Sequence, residues 1–362
     1  MLILACVSGH GYGHGSRVAS VLTALHSLEP SWRLVLSTPL PAPFLELAFG
    51  PVPFEHRSCR WDVGVIQADA LGSDASATLA ALEQLERELP AQLEAEAAWL
   101  AAQNEPILVL GDIPPAAARL AHRLGAPLIW MGNFGWDAIY RPMGAAFERW
   151  SEQALQAYRR GQALIRCPLS LPMPWDLPET PVGLTAGVPR HAPALLRQRL
   201  GLEHPREHTV MVAFGGLGLT LSTTPFARWP DHQFLVSDPA LAAAVNNATL
   251  IPPDLWPLEL LPLCGRVITK PGYSTFCEAM VAGCGIHLVR REGFAEAPVL
   301  EAALQRHCWH RLLSREQLEC GDWELDQPLC PPNAAPLPWT GALEAAQVVH
   351  NLARASVLHD FL

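Results

Sequence analysis

A glycine-rich turn with two histidines is the first candidate site. The segment Ser8–Arg17 contains four alternating glycines and lies between an apolar run and a helical pattern. Glycines let a backbone approach a ligand closely, and the N–H groups at the start of a helix attract an anion or a polar sugar. His14 is closer than His10 to the helix start, whose positive end disfavours the imidazolium form. We therefore expect His14 to be a general base, with His10 as the other candidate.

The turn matches neither of two common phosphate-binding motifs. His14 occupies the position of the third glycine in the dinucleotide fingerprint, and the Gly-Lys-Ser/Thr ending of a P-loop is missing. We assign Gly11, Gly13 and Arg17 to substrate binding. Asp112, directly after an apolar run, can orient or assist the base. The plainer alternatives are a tight turn for the glycines, a loop histidine bonded to backbone or phosphate, and an exposed turn aspartate.

A second candidate site lies in the segment Val267–Gly283. A short apolar run ends in Pro-Gly, and the hydroxyls of Ser274 and Thr275 open a helix, where they can cap the first turn or bind a phosphate. Glu278 lies about one turn further on the same helix face, and carboxylates accept hydrogen bonds from ribose hydroxyls. An ordinary capped helix with a favourable acid is the alternative.

Two further predicted strand ends fall in the same half of the chain. The turn Ala213–Gly216 follows one strand, and Glu296 follows another within Arg290–Pro298. Ligands of open α/β sheets bind beyond the carboxyl ends of the strands, so these segments converge on one ligand, although most glutamates are solvated surface acids. The residues that we assign to nucleotide or sugar binding in this half are Gly215, Gly216, Lys270, Gly272, Tyr273, Ser274, Thr275, Glu278 and Glu296.

Apolar runs that alternate with amphipathic segments position these residues, which is typical of parallel sheets covered by helices. A chain of 362 residues at roughly 150 residues per domain predicts two domains. The helical spacing of Val18, Val21, Leu22, Leu25 and Leu28 predicts a helix with one apolar face after the first strand. The ten predicted strands are Leu2–Val7, Arg33–Ser37, Ile107–Gly111, Pro127–Met131, Ala163–Cys167, Thr209–Phe214, Gln233–Ser237, Thr249–Ile251, Arg266–Thr269 and Gly285–Arg290.

A proline-rich change of composition divides the chain. We predict an N-terminal Rossmann-like domain at residues 1–170, a linker at 171–190, a C-terminal Rossmann-like domain at 191–340 and a terminal helix at 341–362. The Ala-, Leu- and Glu-rich segment 74–103 predicts a long helix that Pro90 breaks or kinks.

Composition excludes several classes of function. The formal net charge is −10 and there is no run of Lys or Arg, which argues against a nucleic-acid partner. Nine scattered cysteines without a CxxC pair indicate neither a disulfide framework nor a zinc site, so we expect a reducing cytoplasm. We read the apolar start as a strand and find no run of roughly 20 apolar residues for a transmembrane segment. Peripheral membrane contact stays open.

Taken together, these segments resemble GT-B glycosyltransferases. They resemble more closely the glycosyltransferase-like region that precedes the sugar-kinase domain of plant L-arabinokinase, and its free-standing bacterial relatives. The aromatic-rich stretch Asn133–Tyr140 is the most specific part, and we assign Asn133 to substrate binding. The resemblance implies two Rossmann-like domains facing across a cleft. The matching stretches are Ser8–Arg17, Gly111–Pro114, Gly132–Tyr140, Ala213–Gly216, Lys270–Glu278 and Arg290–Pro298.

The C-terminal motif is similar, more distantly, to that of the enzyme that transfers N-acetylglucosamine to a lipid-linked peptidoglycan precursor. This resemblance implies that Ser274 and Thr275 hold the diphosphate, Glu278 the ribose and Glu296 the donor sugar. It also implies a small-molecule or lipid-linked acceptor on the N-terminal domain. Ala295 departs from the pattern, because many relatives carry a polar residue beside the acid.

We therefore expect a glycosyltransferase that uses a nucleotide-diphosphate sugar as donor substrate and needs no cofactor. Metal independence is expected because no Asp-x-Asp motif follows an N-terminal strand, and the acidic cluster Asp322–Asp326 is typical of a solvated turn. Two alternatives remain open at this point. One is a sugar-nucleotide epimerase, and the other is a non-catalytic module that binds a sugar nucleotide, since resemblance of fold does not establish chemistry.

Overall fold

The structure is a computed structural model that describes residues 1–67, 72–214, 221–291 and 293–359. The chain divides into two compact units. The first consists of Met1–Gln67, Ser73–Thr185 and the segment from Pro338 onward, and the second of Ala186–Leu337. No helix of the described part is both long enough and apolar enough to span a bilayer.

A seven-stranded parallel sheet is the centre of the first unit. Its middle strands are apolar and buried on both faces, as expected for a parallel sheet covered by helices. The strand order is β3-β2-β1-β4-β5-β6-β7, so strand addition reverses between β1 and β4 and opens a crevice at their carboxyl ends. The strands are β1 (Leu2–Val7), β2 (Arg33–Ser37), β3 (Glu55–Arg57), β4 (Ile107–Asp112), β5 (Leu128–Gly132), β6 (Ala163–Arg166) and β7 (Glu179–Pro181).

Helices connect these strands. Four residues of the predicted apolar face of the first helix are almost fully buried, namely Val18, Val21, Leu22 and Leu25, whereas Leu28 in its last turn is exposed. The helices are α1 (Tyr12–Leu28), α2 (Ala42–Phe49), α3 (Ala75–Ala101), α4 (Ala117–Leu124), α5 (Trp136–Tyr140) and α6 (Glu148–Tyr158).

Helix α3 continues through Pro90 as one element. Of the two outcomes expected at this proline, a break or a kink, the break is therefore wrong. Proline removes one backbone hydrogen bond, but Leu82, Leu89 and Leu93 are buried on both sides of it and hold the helix against the unit. Tertiary packing outweighs the local propensity here.

The second unit repeats the architecture with a six-stranded parallel sheet. Its order, β10-β9-β8-β11-β12-β13, again reverses beside the first strand, and Phe226, Phe234 and Trp323 form the centre of its core. The strands are β8 (Thr209–Ala213), β9 (Gln233–Val236), β10 (Ala248–Leu250), β11 (Arg266–Thr269), β12 (Gly285–Val289) and β13 (His310–Leu313). The helices are α7 (Pro193–Arg199), α8 (Thr224–Ala227), α9 (Pro239–Ala244), α10 (Pro257–Leu260), α11 (Tyr273–Val281), α12 (Ala297–His307) and α13 (Arg315–Cys320).

The last helix, α14 (Gly341–His359), belongs to the first unit and packs against α1. Ala346, Val349 and Ala353 on its inner face are fully buried. Next to this face, His350 Nε2 lies 2.9 Å from the Glu29 carboxylate, which follows α1, and Arg354 donates to the same carboxylate.

The predicted α/β class with parallel sheets is confirmed, and the ten predicted strands are present with bounds that shift by one residue at most. Strands β3, β7 and β13 were not predicted. They are three to four residues long and lie at or near sheet edges, and β3 and β7 carry exposed or partly exposed charged residues in place of an apolar run.

Candidate active site

The first site lies at the carboxyl ends of β1 and β4, the two paired strands of the first sheet between which the strand order reverses. Val7 and Asp112 are paired at the ends of these two strands, and the turn that carries His14 follows Val7. Gly11 caps α1 with a φ of 99°, a conformation that L-residues with side chains rarely adopt. Gly11 therefore allows the backbone to turn into the start of α1.

A buried ion pair joins α1 to β4. The Arg17 guanidinium donates to Asp112 through Nε (2.8 Å) and Nη2 (2.6 Å), and its Nη1 donates to Asn133 Oδ1 (2.7 Å). Asp112 is 0% exposed and Arg17 2% exposed. Burial raises the pKa of the Asp112 carboxyl, but the charge and hydrogen bonds of Arg17 together with His14 outweigh it and lower the pKa below its usual value.

His14 is held by the same carboxylate. Its Nδ1 lies 2.8 Å from Asp112 Oδ1, and because an ionised carboxylate only accepts hydrogen bonds, Nδ1 carries the proton. In the neutral ring, Nε2 is then the nitrogen that can accept a proton. The ring is mostly buried and packs edge-on against Phe134, with centroids 5.8 Å apart. This geometry gives an oriented imidazole with its basic nitrogen turned away from Asp112.

His10 has the opposite tautomer. The backbone N–H of Val65 donates to its Nδ1 at 3.3 Å, so the proton of the neutral ring resides on Nε2. The ring packs edge-on against Trp136, and a Cβ at Gly64 would lie 2.4 Å from His10 Nδ1. His10 is thus suited to donating a hydrogen bond, whereas His14 is suited to accepting a proton.

Aromatic residues of the segment after β5 pack in the interior beside this site. Trp136 and Tyr140 are buried and stack on each other, and Tyr140 Oη donates to the Gly64 carbonyl. Asn133 is 1% exposed and accepts from Arg17. Arg17 and Asn133 therefore orient Asp112 in this structure, and their contact with a ligand stays a prediction. Gly11 and Gly13, in contrast, are exposed at the start of α1.

Sequence reasoning missed Asp62. This carboxylate is buried and accepts a hydrogen bond from Trp136 Nε1 at 2.7 Å. Burial raises its pKa, and the Ser8 hydroxyl, the Trp136 indole and the His14 ring offset the increase only in part. Asp62 lies in an irregular segment without a periodic pattern. Its position between Trp61 and a valine-glycine pair was the only feature of the sequence that could have indicated a buried carboxylate.

The second site lies at the carboxyl ends of β11 and β12. Gly272 precedes the first turn of α11, which contains Ser274, and Glu278 follows on the same helix; both of these side chains are more than nine-tenths buried. Tyr273 is also buried, and Thr275 is half-buried. At the strand end, the Thr269 hydroxyl donates to the Ala213 carbonyl at 2.6 Å, which ties β11 to β8.

Two cationic residues stand at this edge. Burial, and then the nearby Arg291 guanidinium, lower the pKa of Lys270 to about 8. Arg291, which follows β12 and was not predicted, packs over the Phe294 ring at 4.4 Å. Glu296 is buried at the start of α12. Lys270, Arg291 and the start of α11 thus bring positive charge to this edge of the sheet, and their binding of an anion stays a prediction.

Two predicted binding residues, Gly215 and Gly216, lie outside the described residues. The structure brings His14, Arg17, Asp112 and Asn133 together in the first unit, and it groups Lys270, Gly272 and the start of α11 in the second. Within the described ranges, no group of three His, Cys, Asp or Glu side chains is arranged to hold a metal ion.

Comparison with known proteins agrees with the fold. No family model matches the chain. It is 27% identical over 339 residues to L-arabinokinase of Arabidopsis thaliana, an alignment that covers 88% of this chain but 31% of that protein. The chain therefore spans less than a third of this curated relative.

Solved structures of plant glycosyltransferases resemble the whole chain. Medicago truncatula UGT71G1, complexed with UDP-glucose, matches with a TM-score of 0.60 at 12% identity and covers 98% of this chain and 94% of its own. A UDP-glucosyltransferase of Polygonum tinctorium matches with a TM-score of 0.61 at 14% identity over 90% and 88% of the two chains. Arabidopsis thaliana UGT89C1, complexed with UDP-L-rhamnose, matches with a TM-score of 0.60 at 14% identity over 96% and 93%. The chain thus has the GT-B fold with two Rossmann-like domains.

We predict that Asp112→Ala strongly destabilises the first unit. The substitution leaves the Arg17 guanidinium buried without its counter-charge, which costs about 3–5 kcal/mol. Urea unfolding of the purified variant measures this loss. Asp254→Ala is the matched control, because Asp254 also pairs with an arginine through two hydrogen bonds but is exposed, and its loss should destabilise the protein far less. Equal losses in the two variants would contradict the prediction.

Proposed function

We propose that the protein is a glycosyltransferase. It transfers a sugar from a nucleoside-diphosphate donor, bound by the second unit, to a hydroxyl group of an acceptor bound at the first site. The observation that carries this proposal is the 2.8 Å hydrogen bond between His14 Nδ1 and Asp112, which leaves Nε2 as a proton acceptor beside an exposed glycine turn.

In the proposed reaction, His14 Nε2 takes the proton of the acceptor hydroxyl while its oxygen attacks the sugar carbon that carries the diphosphate. The bond from that carbon to the diphosphate oxygen breaks, and its electron pair leaves with the nucleoside diphosphate. Asp112 keeps the ring in the productive tautomer and faces the imidazolium that forms. A module that only binds a sugar nucleotide has no need of such an oriented base.

Groups of the second unit stabilise the leaving group in this proposal. Lys270, Arg291 and the start of α11 place positive charge where the diphosphate accumulates negative charge. Ser274 and Thr275 bind its oxygens, Glu278 the ribose hydroxyls and Glu296 the donor sugar. A uridine diphosphate sugar is the first donor to test, since structural relatives are complexed with UDP-glucose and UDP-L-rhamnose.

The first functional prediction concerns His14. His14→Ala removes the base, so turnover should fall by roughly 10²–10⁴-fold while donor affinity is nearly unchanged. Thermal shift with uridine, guanosine and adenosine diphosphate sugars identifies the donor, and release of nucleoside diphosphate with a panel of hydroxyl acceptors measures turnover. His122→Ala, at an exposed histidine of α4, is the control and should keep full turnover. Survival of turnover within a few-fold in His14→Ala would move the base to His10 or Asp112.

The second functional prediction concerns Glu278. Glu278→Ala should weaken nucleotide binding by roughly 1–3 kcal/mol, the range of a charge-assisted hydrogen bond, without unfolding the protein. Isothermal titration with the nucleoside diphosphate measures the affinity. Glu319→Ala, an exposed acid of α13 that pairs with Arg315, should leave affinity unchanged. An unchanged affinity with a lower melting temperature in Glu278→Ala would reduce this acid to a helix-stabilising role.

The third functional prediction is that transfer needs no divalent cation. The cationic groups and helix start of the second unit supply the charge that a metal ion supplies elsewhere. Turnover should therefore persist after dialysis against a chelator. Complete loss of turnover, restored by magnesium or manganese, would refute it.

A further inference from the structure

A row of basic side chains crosses the second sheet near its amino end. Strands β9, β8, β11, β12 and β13 are neighbours, and in or just before each of them stands a basic residue, two positions ahead of a residue of the apolar core. Side chains two positions apart in a strand lie on the same face, so these basic groups lie along the margin of the core. We call them the basic row, which consists of His208, His232, Arg266, His287 and Arg311.

His287 is bonded through both nitrogens of its ring. The residue is 0% exposed, Arg266 Nη1 lies 3.0 Å from its Nε2, and its Nδ1 lies 3.0 Å from the Trp323 carbonyl oxygen. Because a guanidinium only donates and a carbonyl oxygen only accepts, Nε2 accepts from Arg266 and the proton of the neutral ring is on Nδ1. A second proton on this ring must therefore break the bond with Arg266 and place two cations side by side.

The basic row also holds the segment Trp323–Pro328 through its carbonyl groups. Arg266 Nη2 donates to the carbonyl of residue 327 at 2.9 Å, and Arg311 Nη1 donates to the carbonyl of residue 328 at 2.7 Å. Together with the bond from His287, three carbonyls of this segment are fixed. Trp323 itself is fully buried in the core of the second unit. Displacement of Arg266 therefore loosens a segment that closes this core.

His232 adds a second buried imidazole to the row. It is 8% exposed, and its ring lies parallel to that of His208 with the centroids 4.8 Å apart. The Trp229 ring packs edge-on against it, and among the described residues its Nδ1 has no hydrogen-bond partner. A proton on this ring thus brings a positive charge into an aromatic setting that offers its Nδ1 no acceptor.

Positive charge dominates the surroundings of both rings. Burial, and after it the Arg266 guanidinium, lowers the pKa of His287 to about 3. Burial, and after it the neighbouring His208, lowers the pKa of His232 to about 4. The charged and titratable groups around the two rings are Arg266 of β11, Arg311 of β13, His204 and His208 before β8, Asp231 before β9, and Glu324 and Asp326 of the segment Trp323–Pro328.

The direction of the pH dependence follows from these shifts. The unfolded chain binds the two protons near the ordinary histidine pKa of 6.5, whereas the folded chain binds them only near the lowered pKa values. Unfolding therefore takes up protons between these limits, and the free energy of unfolding falls as the pH decreases through this range. The stability that the neutral rings permit is fully present only above about pH 6.5.

We propose that the basic row is an acid-sensitive switch of the second unit. Protonation of His287 displaces Arg266, and protonation of His232 adds a second buried charge, so the segment Trp323–Pro328 is released and the core of the unit opens. The inference does not rest on the proposed function, because the basic row belongs to neither candidate site.

Hydrogen exchange of the full chain, read by mass spectrometry between pH 7 and pH 4.5, tests the switch. After correction for the intrinsic exchange rate, each proton taken up on opening raises the opening constant tenfold per pH unit. Near pH 5 we expect the two histidines to raise the opening of β11 and β12 by about a hundredfold per pH unit. Peptides of β1 and β4 in the first unit should not share the change that the variants below cause.

Two variants each remove one of the protons. His287→Gln keeps an acceptor for Arg266 but does not titrate, and His232→Phe keeps an aromatic ring beside His208. Each should lower the pH dependence in β11 and β12 by about tenfold per pH unit, and the double variant by about a hundredfold. The opening at pH 5 should therefore be rarer in the His232→Phe protein than in the unsubstituted one.

His307→Gln is the matched control. His307 lies in the same unit and its Nδ1 is also 2.9 Å from a backbone carbonyl oxygen, but its ring is only half-buried. This variant should keep the full pH dependence. An unchanged pH dependence in the two test variants would overturn the switch, and so would an equal loss in the control. If His287→Gln does not fold, His232→Phe decides alone, because its Nδ1 has no hydrogen bond to lose among the described residues.

Discussion

The buried pair of Arg17 and Asp112 is the constraint on which the first unit depends. It connects the first helix to the fourth strand and, through Asn133, to the segment after the fifth strand. An arginine and an aspartate that are both almost fully buried are stable only together, so these elements must assemble as one. The orientation of His14 follows from that assembly, because its ring bonds to the same carboxylate. The candidate site is therefore part of the core of the unit.

The two units share a strand order but carry different polar groups at the same edge of the sheet. In the first unit, the buried Asp112 carboxylate bonds to His14 and Arg17, and the buried Asp62 carboxylate bonds to Trp136. In the second, Lys270 and Arg291 stand close enough for each to make a positive charge on the other less favourable. The shared topology supplies the crevice, while the residues after each strand decide its chemistry. In the proposed function, the first edge removes a proton and the second binds an anion.

Local patterns were enough to predict the fold class, since the buried strands are apolar runs and α1 shows its helical spacing. They also brought His14 and Asp112 into one hypothesis, because both follow strand ends. The partner of Arg17 could not be predicted, since the two residues are 95 positions apart and their contact depends on strand order. The same applies to Asp62, whose partner Trp136 lies 74 positions away. Polar contacts between residues so far apart in the sequence produce no periodic pattern from which they could be predicted.

The C-terminal helix has a consequence for how the protein is made. Because α14 packs on α1, the first unit is assembled from segments on both sides of the second in the sequence. A ribosome releases residues in order, so the second unit can fold while the surface of α1 that contacts α14 is still uncovered. That surface is covered only when α14 emerges. During synthesis the first unit is therefore the later to be completed, although most of it is translated first, and this waiting interval is when chaperone binding or aggregation would act on it.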